Sequence, residues 1–260
     1  MPFEIDQLVG YVNSILWPFL RVSALLLAAP VFSARTLPVR VRVLMAFALA
    51  VLVAPLAPKP PDVDPLSAEG LVIAAQQIGI GVAMGFIFTM VFSAFAQAGE
   101  YIALGMGLGF ASINDPQNGL SIPVVSQYYV VVATLVFLAF EGHVVVIDAV
   151  VQSFHTLPVG VEGLAPGAFY RIAQWGTQMY AGAILVSLPA ITSLLLVNLG
   201  FGVITRSAPQ LNIFAVGFPI MILVGLAVIF LTLPALTDQV VVLLDKGLVL
   251  VGRIVVPAAP

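Results

Sequence analysis

The chain has 260 residues, 61% of them hydrophobic and 8% charged; 9 Lys and Arg stand against 12 Asp and Glu, for a net charge of −3, and there is no cysteine. A soluble domain carries about 25% charged residues, so this composition excludes an ordinary water-soluble fold and points to a chain embedded in a membrane or a membrane assembly. The absence of a basic tract argues against nucleic acid as a partner, and the absence of cysteine excludes disulfides, Cys-ligated zinc and thiol catalysis.

The first residues, Met1 to Asp6, are acidic, and the first basic residue is Arg21. A cleaved signal peptide would begin with positive charge, so the first apolar segment is expected to be retained. That segment, 8–32, is long enough to span a bilayer but carries Pro18, Arg21 and Pro30. A basic stretch at 33–42 leads into segment 43–56, which is short for a straight span. Residues 57–69 hold Pro58, Pro60, Pro61 and Pro65 with Asp62, Asp64 and Glu69, the composition of a wet loop.

Segment 71–98 is uncharged, and segment 122–151 stays uncharged until Glu141, His143 and Asp148. Between them, Asn114-Asp115-Pro116 and Asn118-Gly119 mark turns. After a Gly- and Pro-rich stretch at 156–167 come segments 179–204 and 211–236, separated around Arg206. An amphipathic segment at 240–256 carries Asp245, Lys246 and Arg253. The runs are long and do not alternate, so an all-α fold is expected and a barrel is not. A single membrane domain over 1–260 is expected, with broken and kinked helices where prolines fall inside segments. Arg35, Arg40 and Arg42 set that side of the chain as cytoplasmic, with the loop of Asp62, Asp64 and Glu69 outside, Asp115 inside, Glu162 outside and Arg206 inside.

Few residues have the pattern of chemistry. Gly81-x-x-x-Gly85 and Gly105-x-x-x-Gly109 are small-residue patterns for close helix packing, within the chain or against a neighbour. Neither continues as a dinucleotide-binding string, because Met84 and Phe110 stand where glycine is required. Glu141, His143 and Asp148 read either as an interfacial helix end or as a proton relay. His143 and His155 lack the partners of a metal site, and no nucleophile elbow or phosphate loop is present. The stretch 105–111, with Gly105, Gly107 and Gly109, reads either as a kinked packing segment or as a deformable apolar constriction formed by Met106, Leu108 and Phe110. At the Arg206 junction, Pro209 ends one helix, Gln210 and Asn212 are available to cap the backbone, and Pro219 bends the next helix.

That junction, Arg206-x-Ala208-Pro209-Gln210-Leu211-Asn212-x-Phe214-x-x-Gly217-Phe218-Pro219, resembles the most distinctive string of the FliR family of flagellar type III export proteins. Three further stretches agree in order. They are Arg35-x-x-Pro38-x-Arg40-x-Arg42; Met106 to Ala111 with Asp115-Pro116 and Pro123-Val124-x-Ser126-Gln127; and Gly142-His143 with Ser153-Phe154-His155-Thr156-Leu157-Pro158-x-Gly160. Two departures are Glu141, where the family often has Asn, and Gly109, where Ser is commoner.

The resemblance implies a non-enzymatic channel component without metal or other cofactor. It implies residence in membrane lipid at the bacterial inner membrane, within the flagellar basal body. The implied partners are FliP and FliQ subunits in a helical assembly, FlhB around that core, FlhA nearby, and unfolded flagellar subunits in transit. It further implies helical hairpins displaced from the bilayer plane, and a closure to which Met106, Leu108 and Phe110 contribute. Arg206, Pro209, Gln210, Asn212, Phe214, Gly217 and Pro219 would form its signature hairpin. The homologous virulence secretion component and a small-solute or ion transporter using Glu141, His143 and Asp148 are the alternatives.

Overall fold

The computed structural model describes residues 5–32, 37–108, 124–207 and 213–256. Within them lie seven helices and no strand: α1 Ile5–Ala28, α2 Val39–Val53, α3 Ala68–Gly105, α4 Val124–Ala139, α5 Gly142–Thr156, α6 Pro166–Ser207 and α7 Ile213–Ile254. The all-α expectation holds.

The helix boundaries have local causes. Pro38 precedes α2 in an extended conformation (φ −58°, ψ 142°), and α2 stops just ahead of Pro55. Ser67 caps α3, its hydroxyl accepting from the Gly70 amide at 3.0 Å, while Glu69 complements the positive end of the helix. Pro166 opens α6, where its missing N–H is not needed. Arg206 in the last turn of α6 complements the negative helix end.

The structure breaks one of the hydropathy segments and joins two others. Segment 122–151 is broken: α4 and α5 meet at a 70° bend. The bend turns on Glu141, which takes the left-handed conformation (φ 54°, ψ 26°). Asn tolerates that conformation better than Glu, so Glu141 holds the bend at some cost in strain. Conversely, segments 211–236 and 240–256 are one continuous helix, α7. Thr237, Asp238 and Gln239 lower the hydropathy there, but none of them interrupts a backbone.

Among the described residues three helices, α3, α6 and α7, are long and apolar enough to cross a membrane, or four spans if the bent α4–α5 pair counts as one. The most apolar window of α3 is 67% buried within the chain, whereas those of α6 and α7 are each 22% buried.

The chain divides into two compact units, each assembled from segments distant in sequence. The first comprises Met1–Met90, Glu141–Gly176 and Leu244–Pro260. Here Gly81 and Gly85 of α3 lie on α1: a methyl group at Gly81 would meet the Arg21 carbonyl and Ala24, and one at Gly85 would meet Ala28 and the Leu25 carbonyl. The small-residue pattern is therefore an intrachain crossing, reinforced by the Thr89 hydroxyl donating to the Ala28 carbonyl at 2.6 Å.

The second unit comprises Val91–Phe140 and Thr177–Leu243. Its close crossing is α3 on α4, where Gly99 abuts the Ser126 backbone and the Ser126 hydroxyl donates to the Ala96 carbonyl. Phe92 and Phe137 stack edge to face at 5.7 Å beside it.

Candidate functional site

The C-terminus of α3 forms a corner. The Gly107 amide donates to the Leu104 carbonyl at 3.0 Å and the Leu108 amide to the Ala103 carbonyl at 3.0 Å. Gly107 itself has φ +83°. This is a Schellman motif, and its left-handed position is one that glycine takes without a Cβ penalty. The glycines of this stretch therefore do separate things: Gly107 terminates the helix, while Gly105 still lies inside it.

Each residue of the corner lies against a different residue of α6 or α7. A methyl group on Gly105 would stand 3.2 Å from Leu194 Cδ1, and one on Gly107 would stand 3.4 Å from Phe218 Cδ2. The Met106 side chain, 1% exposed, fills the place where a side chain on Gly225 would be. Of the proposed closure residues, Met106 is thus covered by α7, Leu108 is half-buried, and Phe110 lies outside the described residues.

A second constellation, in the first unit, is absent from the sequence reading. Arg21 on α1 is wholly buried, and its guanidinium is satisfied by neutral acceptors. Nε donates to Gln77 Oε1 at 2.8 Å, Nη1 to the Ser153 carbonyl at 2.9 Å and hydroxyl at 3.0 Å, and Nη2 to the Leu157 carbonyl at 2.9 Å. The Phe154 ring lies 4.0 Å from the guanidinium carbon. No carboxylate takes part in these contacts. Compensation comes from the negative end of α5, whose last carbonyls face the cation, and from the ring face. The Ser153 hydroxyl donates onward to the Val150 carbonyl at 2.6 Å, so it accepts from Arg21 and donates at once.

With this geometry in place, residues 12–247 match the family described as bacterial export proteins, family 1. The chain belongs to this family. The flagellar biosynthetic protein FliR of Escherichia coli (strain K12) is 40% identical over 229 residues, which is 88% of this chain and 87% of that one. FliR of Pectobacterium carotovorum is 39% identical over 235 residues, covering 90% and 89%. FliR of Bacillus subtilis (strain 168) is 30% identical over 261 residues, covering 95% and 99%.

As a bacterial export protein, the chain shows why two of its recognisable strings have the residues they do. Ser153, Phe154 and Leu157, which read only as a family match in sequence, are the groups that hold Arg21. Phe218, in the distinctive C-terminal string, lies against Gly107 of the central string. Arg206 is exposed, Gly217 is buried and Pro219 is exposed near the start of α7; Phe214 lies in its first turn, but its side chain is not described. Pro209, Gln210 and Asn212, like Arg35, lie outside the described residues.

Glu141 and Asp148 are exposed and His143 is half-buried, and among the described residues no hydrogen bond or ion pair joins the three. Glu141 and Asp148 reach solvent, whereas His143 Nδ1 is buried without a hydrogen-bond partner among the described residues. Among the described residues no group of three or more acidic or His side chains forms a metal cluster.

The Arg21 constellation had one available signal, an arginine inside an apolar segment, but two of its acceptors are backbone carbonyls that leave no residue signature.

Proposed function

We propose that the chain forms part of the wall and the closure of the entrance portal of the flagellar type III export apparatus, acting as a structural channel component and not as an enzyme. In this reading it packs among FliP and FliQ subunits in the bacterial inner membrane at the flagellar basal body. FlhB wraps that core, FlhA lies beside it, and unfolded flagellar subunits pass through. Leu108 and Phe110 face the channel, with Met106 at the base of the same closure.

The observation that carries the assembly is the unpartnered length of α6 and α7. Exposed apolar side chains run from Tyr180 to Ile204 on α6 and from Val216 to Leu231 on α7, and the most apolar windows of the two helices are only 22% buried within the chain. The α6 stretch is about 36 Å of helix at 1.5 Å per residue, somewhat longer than the bilayer hydrocarbon core of about 30 Å. Faces of this kind need a cover that the chain itself does not supply, and membership in an export family favours neighbouring subunits as part of that cover. The membership in the export family and the flagellar relatives support the flagellar setting.

Deletion of the gene tests this reading. The expected result is a cell without flagella that does not swim, restored by the chain in trans, with the tagged chain co-purifying with neighbouring channel subunits in mild detergent. Intact motility after deletion would overturn it; if effector secretion were lost instead, the virulence relative would take its place.

A further inference from the structure

We infer that Gly225 and Phe218 of α7 are positioning residues for the closure: together they form a seat for the Met106 corner, and through that corner they set where Leu108 stands. The inference rests on the closure reading above and deepens it, because neither residue is assigned contact with cargo.

Four observations converge. Gly217, Met221, Gly225 and Ile229 are buried at four-residue spacing, so they form a single narrow stripe down α7. Within that stripe Gly225 leaves a notch, and Met106 occupies it so closely that a methyl group at 225 would stand 2.5 Å from its Cγ, 2.6 Å from Sδ and 2.7 Å from Cε. About two turns away on α7, the Phe218 ring edge lies on Gly107, where any side chain would also be strained by the positive φ. Finally, the two Schellman hydrogen bonds tie Gly107 and Leu108 back to Leu104 and Ala103, so the corner moves as a unit.

The mechanical consequence is direct. A side chain at 225 would displace the Met106 side chain, which is 1% exposed and has no open solvent to swing into. The displacement is passed over two residues to Leu108. Truncating Met106 empties the notch and relieves that conflict. The fit between a flexible thioether and a bare helix position also suits a contact that must re-form after each opening.

The test compares Gly225→Ala, Met106→Ala, their double variant, Phe218→Ala and Leu108→Ala in cells expressing the full apparatus. Co-purification with neighbouring subunits reports assembly, and a membrane-potential dye reports passive ion leak. The expected result is that Gly225→Ala assembles but leaks, that Phe218→Ala leaks less, and that adding Met106→Ala to Gly225→Ala lowers the leak. If Gly225→Ala fails to assemble, the partly exposed Phe218→Ala carries the test alone, and a tight, assembled channel there overturns the inference. A double variant that leaks as much as Gly225→Ala also overturns it, since Gly225 would then act on something other than Met106. If Leu108→Ala leaks while the α7 variants do not, the seat is wrong and the closure reading stands. If none of the variants leaks, Leu108→Ala included, the closure reading itself falls.

Discussion

At Arg21 a buried side chain is held by four hydrogen bonds to groups of α3 and the end of α5, while at Met106 a buried side chain is held by shape against a position of α7, Gly225, that has no side chain. The first arrangement is directional and tolerates little displacement, because losing these bonds leaves buried polar groups, the guanidinium among them, short of partners. The second has no directional bond to break and involves the most adaptable apolar side chain. The comparison teaches that one chain can carry a fixed joint and a yielding one, and that the yielding one is built where closure is proposed.

The largest effect is expected from breaking the fixed joint. Arg21→Met removes all four hydrogen bonds and leaves the buried Gln77 side-chain oxygen and the Leu157 carbonyl without the donor they accept from, at a cost of about 3 kcal/mol or more. The measurement is steady-state abundance of the chain and its thermal stability in detergent, both of which should fall sharply. Arg21→Lys keeps the charge but not the planar fork, and should recover only part of that loss. A fully stable Arg21→Met protein would remove the distinction between the two regions.

A smaller and more local effect is expected at the corner. Gly107→Ala forces a side chain into a left-handed position, costing about 1–2 kcal/mol. Abundance and assembly should change little, while swimming in soft agar should drop. If abundance fell as far as in Arg21→Met, the corner would be as rigid as the Arg21 site and the contrast would be lost.

The smallest effect, of opposite sign, is expected at the bend between α4 and α5. Glu141→Asn should raise thermal stability by about 0.5–1 kcal/mol, since Asn occupies the left-handed region more readily. No change in ion leak should accompany it, because Glu141 is exposed and hydrogen-bonded to none of the neighbouring ionisable groups.

The sequence made the helical class and most segment positions legible, because uncharged runs of bilayer length leave little else possible. Gly81 and Gly85 announced a close crossing but not the α1 face that receives it. The break at Glu141 was hidden, because an apolar run carries no record of one left-handed residue. The continuity of α7 was hidden for the converse reason: Asp238 interrupts hydropathy without interrupting a helix. The corner was legible as three glycines and a methionine, but its partners, Leu194, Phe218 and Gly225, sit far along the chain. Nothing in a single sequence pairs a bare position on one helix with a side chain on another.

The claim that this chain lines and closes an export channel is tested most directly by crosslinking, since the chain offers no native thiol to confuse the result. Leu108→Cys and Phe110→Cys, each in an export-competent cell, are paired with a cysteine-bearing flagellar subunit stalled in transit by a fused folded domain. The account predicts a disulfide-linked adduct at these positions and none at an exposed position of α6 such as Thr177→Cys. Absence of adduct at both positions, with export intact, would contradict it.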